Sequence, residues 1–112
     1  MNDFGKEKFE QKHAVLEDPE IQRFIKQREI KPEDFWIIET LAQVPQDFLI
    51  RHFHNHFNLN HERSVEKLER YQKINTLTNA ENEIYNLYIE FTRKYDWMTS
   101  WHLNGILENR SQ

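Results

Sequence analysis

The chain carries only two glycines and three prolines in 112 residues. Sandwiches and barrels reverse direction often, and their tight turns need residues that tolerate positive φ. So few glycines point to helices joined by short connections. Eight Phe, four Tyr and three Trp make the sequence 13% aromatic. Disordered chains lack the large apolar side chains that offset the entropy of ordering. The length suits one modest core. The expectation is an all-α, compact single-domain bundle of five to seven short helices over residues 1–112.

Helical periodicity and capping residues divide the chain. Phe4, Phe9, His13 and Leu16 form a loose stripe over about residues 6–17. Asp18-Pro19 starts the next helix, because Asp caps well and Pro is tolerated in the first turn. That helix carries Ile21, Phe24 and Ile25. Pro32 repeats the device ahead of Phe35, Trp36, Ile38, Leu41 and Ala42. Pro45 stops that segment, and Phe48, Leu49, His52, Phe53, His56 and Phe57 mark the following one. Asn60 is the expected cap for a helix with Val65, Leu68, Tyr71 and Gln72. Thr78-Asn79-Ala80-Glu81 reads as a capping box. It opens a helix whose stripe is Ala80, Ile84, Leu87, Tyr88, Phe91 and Tyr95. Thr99 or Ser100 is the expected cap of a last helix with Trp101, Leu103, Ile106 and Leu107, containing Gly105.

Several function classes fall away. With no cysteine there are no disulfides, thiolate metal sites or thiol nucleophiles. That composition fits a reducing cytoplasm. No apolar run approaches the roughly 20 residues needed to span a bilayer, and the first residues lack a signal-peptide core. A net charge of -4 argues against a dedicated duplex-DNA binder, whose affinity comes largely from neutralised phosphates. No glycine-rich phosphate loop is present, and no nucleophile elbow surrounds Ser64 or Ser100. No cofactor is implied.

Reactive side chains concentrate in residues 51–61, which hold four of the six histidines: His52, His54, His56 and His61. On a helix His52 and His56 share a face one turn apart, and His54 points elsewhere. That pair could offer two nitrogens to zinc, with a third ligand from His61, Glu62, Asp47 or His102. The plainer reading has these imidazoles bordering core and solvent beside Phe53 and Phe57. Arg51 followed by His56 resembles the arginine–spacer–histidine motif of HEPN-type ribonucleases, small helical bundles that pair as dimers. The resemblance implies Arg51 holding phosphate and His56 shuttling a proton.

Trp36, Trp97 and Trp101 are the candidate partner contacts, since Trp anchors many interfaces. Equally, Trp97 and Trp101 could close the end of the bundle. Residues 15–27, followed by Pro32-Glu33-Asp34, are similar to the N-terminal segment of bacterial replicative-helicase loaders. In those proteins the segment contacts the helicase; the loaders' cysteines and ATPase domain have no counterpart here. The expected function is therefore non-catalytic: binding and modulating a protein partner with a basic surface, as an adaptor, inhibitor or immunity-type regulator, with replication machinery one candidate target. A homodimer is the alternative assembly, and a HEPN-like ribonuclease or a His-based zinc protein the alternative chemistry.

Overall fold

The computed structural model describes residues 15–58 and 62–110. Most of the expected first stripe, with His13, lies outside them, as do Asn60 and His61. The described residues form six α-helices and one 3-10 turn, with no strand among them. The all-α expectation holds. Contacts group the chain into two compact units, Met1–Pro45 and Gln46–Gln112.

In the first unit, α1 spans Pro19–Arg28, the 3-10 turn Pro32–Asp34 and α2 Phe35–Leu41. The Asp18 carboxylate accepts the Glu20 amide at 2.8 Å and so caps α1. At the other end Glu29 adopts a left-handed conformation, φ 56° and ψ 47°. The amide of Ile30 then donates to Ile25 and that of Glu29 to Lys26, a Schellman closure. Pro32 opens the 3-10 turn, and the α-helix begins only at Phe35. Ile37, Ile38 and Leu41 are fully buried, while the neighbouring Trp36 is 44% exposed. Four consecutive apolar residues cannot share one helical face, and Trp36 is the one left facing out.

The second unit holds α3 (Gln46–Phe57), α4 (Val65–Ile74), α5 (Asn79–Lys94) and α6 (Trp97–Glu108). α3 packs on α6, and α5 packs on both α4 and α6. Leu49, Phe53 and Phe57 recur every fourth residue of α3 and are buried. The Phe53 ring sits 4.4 Å from Tyr85 and 4.5 Å from Tyr88, and Phe57 lies 4.9 Å from Tyr88. Thr78 and Glu81 form the expected capping box of α5, with bonds of 2.8 and 3.1 Å.

Three expectations need correction. The helix expected to be capped by Asn60 begins at Val65, with Ser64 in the cap position and no capping bond from its side chain. The buried face of α5 includes Tyr85, Ile89 and Thr92 as well as Tyr88 and Phe91, whereas Ala80 is exposed. A helix wedged between two neighbours buries a broader arc than one stripe. The cap of α6 is Asp96, whose carboxylate accepts the Thr99 amide at 2.7 Å. Thr99 and Ser100 lie inside the helix and are buried, with Ser100 Oγ 2.6 Å from Thr92 Oγ1. No described helix is long and apolar enough to cross a membrane.

Candidate functional site

The histidines of α3 divide between two neighbours. His52 and His56 face Tyr85, whose hydroxyl lies 3.4 Å from His52 Nδ1 and 3.3 Å from His56 Nε2. Two imidazoles one helical turn apart thus share one phenol from α5. His52 stacks on Phe48 at 4.3 Å, and its Nε2 is 3.7 Å from Glu81 Oε2. The other Glu81 oxygen holds the capping box. The His56 ring meets Tyr71 of α4 edge-on at 4.9 Å, and Tyr71 stacks parallel to Tyr85. Lys67 donates to the His56 carbonyl at 3.2 Å.

Burial controls the charge of this cluster. It pushes the His56 imidazole down to about 4, helped by the Lys67 and His52 charges. His52 is also lowered by burial, with Glu81 pulling against that and Arg51 adding to it. Burial raises the Tyr85 phenol well above its ordinary range, with Tyr71 and Glu81 contributing. Near neutrality, then, the cluster is a set of uncharged rings, stabilised by packing and weak hydrogen bonds.

Arg51 is exposed, 3.8 Å from Asp47, with its guanidinium 6.0 Å from the Phe48 ring centre. His56 is only 9% exposed. Arg51 therefore sits at the surface while His56 turns into the packed cluster. Among the described residues no group of three His, Asp or Glu side chains is placed to hold a metal ion. His61, the third ligand of the zinc alternative, is outside the described residues.

The tryptophans also separate. Trp97 is 7% exposed and packs 4.8 Å from Phe57, so its ring is core and not a surface anchor. Its buried indole N–H has no acceptor among the described residues. Trp101 is 37% exposed, as is Met98 one turn earlier on α6.

Trp101 borders a cleft of about 220 Å³ shared with His54, Phe57, Asn104, Gly105 and Glu108. His54 Nδ1 is 3.0 Å from Glu108 Oε1, and Asn104 donates to Glu108 Oε2 at 2.5 Å. Asn104 is itself fixed from below by the Tyr88 hydroxyl, which donates to its carbonyl oxygen at 2.7 Å. Gln46 donates to the Glu108 backbone carbonyl. A Cβ built on Gly105 would meet nothing within 4 Å, so this glycine forms an open floor. Sequence reasoning passed over Asn104 and Glu108. Their i, i+4 spacing and the glycine one turn after Trp101 were the available signals. Comparison with known proteins found no matching family model, curated protein or solved structure.

Proposed function

We propose that this chain is a non-catalytic helical protein that binds and modulates a protein partner through the Met98–Trp101 face of α6. The observation that carries the reading is the exposure of both side chains on consecutive turns, with Trp101 at the border of a formed cleft. Large apolar side chains left in water next to a concave surface are characteristic of contact anchors. A net charge of -4 favours a partner with a basic surface and makes association salt-sensitive. The absence of cysteine supports a reducing, cytoplasmic setting. Replication proteins are the partners to try first, on the similarity of residues 15–34 to helicase loaders.

Burial of His56 supports this reading over the ribonuclease one. A general base must reach the proton it moves, and the His56 Nε2 nitrogen faces Tyr85. The test is partner capture from the native host by the full chain, followed by the same capture with Met98→Ala and Trp101→Ala. Reduced capture with an unchanged helical spectrum is the expected result. Undiminished capture by both variants, or RNA cleavage by the parent chain that disappears in Arg51→Ala, would count against it. Sedimentation of the purified chain separates a second copy of itself from a foreign partner.

A further inference from the structure

We propose that the cleft between Trp101 and Glu108 is a receptor for one arginine side chain of a basic partner segment. This inference rests on the partner-binding reading and names the chemistry of its central contact. Glu108 is the reason. Its side chain is only 12% exposed, yet it borders an open cleft. A shielded carboxylate attracts a cation more strongly than one in bulk water.

Its orientation is fixed before anything arrives. His54 holds one oxygen, Asn104 the other, and Tyr88 holds Asn104 from the core. A carboxylate offers about four acceptor sites, so one hydrogen bond on each oxygen leaves room for two more donors. Guanidinium delivers two parallel N–H groups to a carboxylate, which an ammonium does not. It is also flat and stacks on aromatic faces. The exposed Trp101 ring lies on the border of the same cleft, three residues before Asn104 on α6. Gly105, with open space where a Cβ would stand, leaves the floor clear for the incoming side chain. Charge complementarity with the -4 chain selects the same kind of occupant.

The probe is the capped tripeptide acetyl-Gly-Arg-Gly-amide, titrated into the full chain. The readout is the indole N–H signal of Trp101 by NMR, assigned with Trp101→Phe. A saturable shift is expected. The citrulline counterpart, isosteric but uncharged, should bind at least about tenfold more weakly, as should the arginine peptide to Glu108→Gln. Gly105→Leu places a side chain in the open space and should abolish the shift while the helical spectrum stays intact. Equal binding of the two peptides, undiminished binding by Gly105→Leu, or no shift at about 10 mM peptide, where a millimolar site would be saturated, overturns the proposal. Met98 does not border the cleft, so it separates the two claims. Partner capture lost in Met98→Ala, with no peptide binding, leaves the partner-binding reading standing and removes the arginine receptor. Peptide binding combined with capture that ignores Met98, Trp101 and Gly105 shows a cleft that takes a guanidinium but plays no part in capture, which overturns both the partner-binding face and the partner's arginine as its occupant.

Discussion

His56 is held neutral by its surroundings, and that has a measurable consequence. Its imidazole is lowered to about 4 in the folded chain from an ordinary 6.5. Between those values the unfolded chain binds a proton that the folded chain excludes, so stability rises with pH there. The contribution is complete above about pH 6.5 and is lost progressively on acidification toward 4. Taken in full, the shift would cost about 2 kcal/mol between pH 7 and 5, and water at the ring edge brings the expected loss to roughly 1 kcal/mol. The fall in urea midpoint between the two pH values should shrink in His56→Phe, with His52 keeping part of it, and a parent-like acid loss in that variant would show another group to be responsible. Glu29 offers a second test. A side chain in the left-handed region costs about 1 kcal/mol or more, and glycine relieves it at some expense in unfolded-chain entropy. Glu29→Gly should gain up to about 1 kcal/mol, seen as a higher urea midpoint. Helical period was enough to say that His54 departs from His52 and His56. It could not reveal Glu108, whose partner His54 lies on another helix, because that pairing exists only once α3 packs on α6.

Capping chemistry was the most legible feature of the elements. Asp18 and the Thr78–Glu81 box stand where the sequence placed them, because each is satisfied within its own first turn. The start of α6 was misread because Thr99 and Ser100 are competent caps in isolation. Tertiary structure gave Ser100 a buried partner in Thr92, and Asp96 took the amide of Thr99 instead. Tyr85 was missed for a similar reason. The expected stripe on α5 counted one face, and the helix serves two neighbours. Removal of a local cap should cost what local caps cost: Thr78→Ala is expected to destabilise by about 1 kcal/mol. Thermal unfolding checks this, and a loss near zero would mean that packing alone fixes the start of α5.

At the scale of the molecule, scarcity of glycine decided the all-α class. Aromatic content decided how the core of the Gln46–Gln112 unit is filled. Phe53 is its centre, fully buried between Tyr85 and Tyr88. Rings of this size leave a void that helices close only in part, so Phe53→Ala should cost about 3–5 kcal/mol. Against a typical total of about 5–15 kcal/mol, that would leave a marginal fold. A variant with near-parent stability in calorimetry would mean the unit repacks more freely than its stacked rings suggest. Glu81 ties this unit together in a different way. One oxygen of its carboxylate anchors a backbone amide and the other faces an imidazole across the helix pair. Neutralising that one side chain would therefore weaken the cap of α5 and remove the charge beside His52 in the same step.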